Sequence, residues 1–229
     1  MSHKIIALGD IHAPFHSKDA ISWALDKISS FNNVTHVVQL GDSLDLFSFS
    51  KFARNPWSIR PEDELQEGYE TMVEIWKLIG KAAPKAKKLQ IKGNHCDRLK
   101  KRIIEKFPEV SSLVDVDKLF TFENVKTVTD SRECLNINGI LFTHGWKSRL
   151  GDHAKWFSQS TVCGHTHRGG VIDIPLFKEH VFELNAGYLA SPEHEALKYP
   201  MNAFTQWTHG IGVIDEHGPR FIRKKEFLK

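Results

Sequence analysis

The chain has 229 residues, 41% hydrophobic and 26% charged, with a net charge of +3, a profile that excludes disordered, fibrous and collagen-like classes. That mild charge permits an anionic substrate without singling out nucleic acid. Cys96, Cys134 and Cys163 are too few and scattered for a disulfide framework or a zinc ribbon, and no apolar run approaches the ~20 residues of a membrane span. Met1 to Asp10 lacks a signal-peptide pattern, so the expected setting is reducing and cytoplasmic, with no membrane partner.

Lys4 to Leu8 is a short apolar run ending in Gly9-Asp10, which predicts a buried strand entering a loop. From Asp19 to Ser30, Ile21, Ala24, Leu25 and Ile28 keep helical spacing, with Ser17 as N-cap. A second apolar run, Thr35 to Leu40, ends in Gly41-Asp42 and completes a right-handed βαβ unit. An excursion from Asp45 to Lys81 follows, a helical and aromatic-basic insertion at about 46–81. Its second half predicts a helix, with Pro61 in the first turn and Glu62, Asp63 and Glu64 at the positive end of the dipole. Leu65, Tyr69, Met72, Trp76 and Ile79 mark one buried face. A third strand, Leu89 to Lys92, runs into Gly93-Asn94-His95, and a helix from Asp97 to about Phe107 sets Leu99, Ile103 and Phe107 on one side.

The second half is strand-rich. Glu133 to Ile137 and Ile140 to Thr143 flank Asn138-Gly139, a tight hairpin dipeptide. Thr161 to Cys163, Val171 to Ile174, Val181 to Asn185 and Gly210 to Asp215 are further strands, interrupted by a short helix over Asp152 to Phe157. The expectation is one α/β domain over residues 1–229, with a βαβ-rich first half.

Five polar clusters each follow an expected strand: Asp10-Ile11-His12, Gly41-Asp42 with Asp45 three residues on, Gly93-Asn94-His95, His144-Gly145 and Gly164-His165-Thr166-His167. In open α/β sheets functional residues gather beyond the carboxyl ends of the strands. Imidazole and carboxylate together suit divalent Mn, Fe, Zn or Ni. Asp10, His12, Asp42, Asn94, His144, His165 and His167 are too many ligands for one ion with open positions. They suffice for two ions if a carboxylate bridges them, the arrangement that clamps a phosphate and activates water. Each cluster alone is commonplace, and isolated histidines such as His3, His36, His180, His194, His209 and His217 read as ordinary surface or core residues. The specificity lies in the joint pattern.

In order and wording the clusters resemble the calcineurin-like metallophosphoesterase superfamily, with its D-x-H, G-D-x-x-D, G-N-H-[E/D], H and G-H-x-H blocks, over Asp10 to His167. The resemblance implies a two-sheet β-sandwich flanked by helices, with a dimetal site on its rim. It implies that Asp10, His12, Asp42 and His167 hold one metal and Asp42, Asn94, His144 and His165 the other, manganese being the first expectation. His95 would act as general acid or transition-state donor, oriented by Asp45. Cys96 departs from the pattern, standing where the family has an acid, with Asp97 one place later; a dimetal mechanism needs no thiol, so Cys96 reads as a bystander.

Two divalent ions set against Asp10, Asp42 and a shared hydroxide leave residual positive charge for a phosphate. The reaction so implied is in-line attack by that hydroxide, with His95 donating to the leaving oxygen. The substrate is a phosphate ester, with nucleotides and nucleic acid among the candidates. Phe47, Phe49, Phe52 and Trp57 interleave with Lys51, Arg54 and Arg60, a mixture that can stack bases, although packing under the following helix is the plainer reading. Arg98 is close enough to His95 in sequence to contact substrate phosphate, whereas Lys100, Lys101, Arg102 and Arg223-Lys224-Lys225 read as solvated basic faces. Asp45 is followed by Leu46-Phe47 and Gly93 is preceded by Lys92, unlike protein serine/threonine phosphatases; the compact chain resembles small bacterial or phage-type phosphoesterases. A nuclease is the alternative, and a non-catalytic scaffold of the same fold the remote one.

Overall fold

Strand β1 (Lys4–Leu8) is apolar on both faces, as a strand held between two layers must be. In the computed structural model, which describes residues 3–52, 58–177, 179–197 and 206–225, Ile6 and Leu8 join one core cluster and Ile5 and Ala7 another. The remaining elements are α1 (Lys18–Ser30), β2 (Val34–Gln39), α2 (Pro61–Ala82), β3 (Lys87–Ile91), α3 (Arg98–Lys106), β4 (Val125–Val128), β5 (Leu135–Ile137), β6 (Ile140–Phe142), α4 (Asp152–Phe157), β7 (Thr161–Cys163), β8 (Gly170–Pro175), β9 (His180–Asn185), β10 (Gly210–Asp215) and β11 (Gly218–Arg223).

They form a six-stranded sheet in the order β11-β10-β1-β2-β3-β4 and a five-stranded sheet in the order β5-β6-β7-β9-β8. Strands β1 to β4 run parallel, as do β6, β7 and β9. Between the sheets, Val38, Leu40 and Ile91 meet Phe142, Val162 and Leu184. On the outer face of the first sheet, Ile6, Leu8 and Val37 pack with Ile21 and Ile28 of α1 and Met72, Trp76 and Ile79 of α2. This is the two-sheet α/β sandwich flanked by helices that the sequence leads one to expect.

Local chemistry sets the helix starts. The Ser17 hydroxyl accepts from the Ala20 N–H at 3.2 Å, and Pro61 opens α2 with three acids in its first turn. The buried face of α2 runs through Glu64, Gly68, Met72, Ile75, Trp76 and Ile79, so it is rotated from the expected one. Tyr69 lies at the margin, its ring stacked on Phe122 with centroids 5.4 Å apart. Helix α3 buries none of its residues, and Phe107 just beyond it is exposed. Two strands carry no clear sequence signal, β4 and β11, both at the edges of the first sheet.

In the aromatic-basic segment, Phe49 packs on the helical core and Phe47 stands edge-on to Phe15, while Phe52 is exposed. Arg60 pairs with Glu62 and Asp63. Arg54 and Trp57 lie outside the described residues. Of the C-terminal basic run, Arg223 closes β11 and Lys224 pairs with Asp19 of α1. Among the described residues no helix is long and apolar enough to cross a membrane.

Candidate metal centre

The ends of β1, β2, β3, β6 and β7 bring their following loops to one rim. Backbone there is forced into unusual shapes: Asp10, His12, Asp42, His165 and His167 all have φ between 39° and 69°. Such left-handed conformations cost non-glycine residues about 1 kcal/mol or more each. Five in one place mark a rim whose geometry the surrounding fold over-determines. Glycines admit the close approach. A Cβ at Gly93 would fall 2.2 Å from Asp42 Oδ1, and one at Gly164 would fall 2.5 Å from Asp10 Oδ2.

Hydrogen bonds decide which ring nitrogens face inward. His12 Nδ1 lies 2.8 Å from Asp45 Oδ2, a carboxylate that only accepts, so Nδ1 carries the proton. His12 Nε2 therefore presents a lone pair, 3.2 Å from His167 Nε2, which itself lies 3.4 Å from Asp10 Oδ1. His144 repeats the pattern. Its Nδ1 donates to the Leu40 carbonyl at 2.9 Å, and its Nε2 points at Asn94 Oδ1 (2.9 Å) and Asp42 Oδ2 (3.1 Å). His165 Nδ1 stands 3.0 Å from the same Asn94 oxygen. Two sets of electron-pair donors thus converge, each with a histidine whose outer nitrogen is tied down, the usual arrangement of metal-binding imidazoles. Asp10, Asp42 and His144 form a further group with mutually close ligand atoms, so the two carboxylates lie between the sets. Converging acceptors repel unless a proton or cation sits among them, and this donor chemistry fits two divalent ions.

The electrostatics agree. Burial alone would raise the Asp42 carboxyl, but the imidazoles of His144 and His95 more than reverse this and hold it well below its ordinary range. Asp10 is likewise lowered, burial being outweighed by His167 and His144. Asp45 is held far down by His95 and His12 despite complete burial. In the protein without metal, His144 is pushed up to about 9, because Asp42 overcomes the desolvation that would lower it. His165 falls to about 4 through burial and the nearby His144.

His95 lies beside this cage. Its backbone N–H donates to Asp42 Oδ1 at 2.8 Å, and its Nδ1 is 3.3 Å from Asp45 Oδ2. It also groups with His12 and Asp42. Asp45 serves three partners, since Arg98 donates to both its carboxylate (2.7 Å) and its carbonyl (3.0 Å). A second nitrogen of Arg98 reaches His95 Nε2 at 3.0 Å. All nine expected residues, with Arg98, are therefore contiguous.

The departure after Asn94-His95 is local. Cys96 is fully buried in the helical core, and burial pushes its thiol up to about 11, which suits a bystander. Asp97 turns away from the rim to pair with the buried Lys92 (3.1 Å) and to accept from Ser131 (2.7 Å). Sequence reading missed His153 and Glu183. The buried His153 Nε2 accepts from the N–H groups of Trp146 and Lys147 at 3.0 and 3.1 Å, in the loop that begins at His144. Its Nδ1 faces Glu183 Oε1 at 3.4 Å, and Glu183 Oε2 accepts from the N–H groups of His153 and Ala154 at 2.8 and 2.9 Å. Only the pairing across 30 residues reveals them.

No curated protein matches the chain. The sequence model of the calcineurin-like phosphoesterases matches residues 3–179, which include every cluster on the rim. Metal-dependent hydrolysis of phosphate esters is the chemistry of that family, and the chain, on a match spanning most of its length, belongs to it.

Proposed function

We propose that this protein hydrolyses phosphate esters with two divalent cations, manganese first, with iron, zinc or nickel as alternatives. Asp10, His12, Asp42 and His167 would hold one cation and Asp42, Asn94, His144 and His165 the other. The observation that carries this reading is the pair of converging donor sets, with His12 Nε2 facing His167 Nε2 at 3.2 Å and His144 Nε2 facing Asp42 at 3.1 Å. When bound, such cations supply Lewis acidity and a water of lowered pKa.

The chain's own residues do the rest. His95, backed by Asp45, stands on the rim and donates a proton to the leaving oxygen. Arg98 exchanges its contact with His95 for a phosphate oxygen, so that its guanidinium stays paired to Asp45 while stabilising charge on the substrate. The cytoplasm is the setting in which this enzyme would work.

Activity lost to a chelator should return with Mn²⁺. Asp42→Asn should lose bound metal and activity together, whereas His95→Asn should keep its metal and lose a hundredfold or so in kcat, the usual scale of one general acid. Elemental analysis beside turnover of p-nitrophenyl phosphate and its bis-ester reads both. Activity that needs no metal, or survives both changes, refutes the proposal.

A further inference from the structure

The two loops that carry His144, His165 and His167 do more than reach the rim. Between them lies a pocket of about 370 Å³, walled by Ser148, Arg149 and Leu150 from one loop and Thr166, Arg168 and Gly169 from the other. Thr166 sits between two of the proposed ligands and Arg168 directly follows His167, so the pocket adjoins the metal centre. Its lining holds two guanidinium groups and two hydroxyls but no carboxylate. Arg149 and Arg168 are both exposed and, like Arg102 and Arg223 among the described arginines, form no ion pair, whereas Arg60, Arg98, Arg132 and Arg220 do.

The bias extends along the chain. From His144 to Gly169 there are four cations, Lys147, Arg149, Lys155 and Arg168, against one acid, Asp152. Trp146 and Trp156 are exposed on the same stretch, Lys147 lying 4.7 Å from the Trp156 ring centre. Trp146 is held edge-on by His153 and Phe157, with ring centres 5.0 and 5.7 Å away. Exposed arginines without carboxylate partners beside a phosphoesterase centre leave their forked donors open to a second anion, and that fork matches a phosphate. The volume exceeds what one phosphate needs and is in the range of sites that take nucleotide-sized groups.

We propose that the pocket of Arg149 and Arg168 binds a second phosphate of the substrate, so that the preferred esters are nucleotides or short nucleic-acid strands with a phosphate beyond the scissile one. The half-exposed Trp146 ring offers an adjoining base a stacking surface. This rests on the reading of the rim as a phosphoesterase centre.

The test uses the manganese-loaded protein and its Arg149→Gln/Arg168→Gln variant, with manganese content measured in both. Three substrates are compared: p-nitrophenyl phosphate, ADP and a 5′-phosphorylated dithymidylate. The variant's KM for ADP or for the dinucleotide should rise about tenfold or more beyond any change with p-nitrophenyl phosphate, since a charge-assisted hydrogen bond contributes roughly tenfold or more in affinity. Which of the two is affected more tells a free nucleotide from a strand. Calorimetric titration with the same two ligands should show a matching loss of affinity. Equal affinities in wild type and variant overturn the inference, even where every ester is hydrolysed. If nothing is hydrolysed but the titrations differ, the pocket stands and the catalytic reading falls.

Discussion

At the scale of single residues, the rim is built from side chains that would be poor neighbours without a proton or a cation among them. Gly93 shows how tightly they are set. A methyl group there has no room beside Asp42 Oδ1, only 2.2 Å away, or the Asp42 N–H at 2.5 Å. Gly93→Ala should therefore displace the Asp42 carboxylate, proposed to be shared by both cations, and cut manganese affinity at least tenfold while the sandwich still folds. Equilibrium dialysis with circular dichroism would check it, and unaltered metal binding would contradict the placement of Asp42. These residues were legible in the sequence because ligand chemistry needs rare types next to turns, and turns announce themselves through glycine. The roles of Asp97 and Arg98 were less so. Asp97 stands one place after the position where the family has its acid, but its carboxylate is committed to Lys92, a lysine with no exposed surface, and burial of that kind is invisible to spacing.

At the scale of elements, strands with strong apolar runs were found within a residue or two of their ends, as with Lys4–Leu8 and Gly210–Asp215. The edge strands of the first sheet were not. Val125–Val128 is interrupted by Lys126 and Thr127, and Gly218–Arg223 contains Pro219 and two arginines. Edge strands bury one face at most and tolerate proline and charge, so their signal is weak. The short α4 matters more than its six residues suggest, since His153 anchors the loop of His144 through two backbone N–H groups. Removing an acceptor from buried donors costs about 1–3 kcal/mol, and from part-buried ones such as these the lower end of that range. His153→Ala should thus lower the unfolding midpoint and also weaken manganese binding, although it touches none of the proposed ligand atoms. Paired thermal and metal titrations would show both effects. A loss of stability with metal affinity intact would mean that the network is merely structural.

For the whole molecule, the histidines predict how stability varies with pH in the absence of metal. His144 has a folded value raised from 6.5 to about 9. Its contribution is fully present below the unfolded value and is lost as pH rises through about 9. His165 is lowered from 6.5 to about 4. It must stay uncharged when folded, so stability declines as pH falls from 6.5 toward 4, and the depressed Asp42 and Asp10 add to the decline further down. Chelated protein should be most stable near pH 6.5. Manganese bound at His144, as proposed, would replace its proton, remove the alkaline decline and release protons on binding below about pH 9. Melting curves across pH, with and without metal, test this; a metal-free curve that keeps rising to pH 9 would refute it.

The strands that end at the rim belong to different sheets, β1, β2 and β3 to one and β6 and β7 to the other. Deeper in the sandwich those sheets meet through apolar side chains such as Val38, Ile91, Phe142 and Leu184. A cation held between Asp42 and His144, as proposed, would work as a clasp along one border of the sandwich. Without it that border would be held by hydrogen bonds alone, His144 Nδ1 to the Leu40 carbonyl and the His165 N–H to Asp10 among them. The sandwich would then loosen first along that side, and metal supply in its surroundings would set how often it does so.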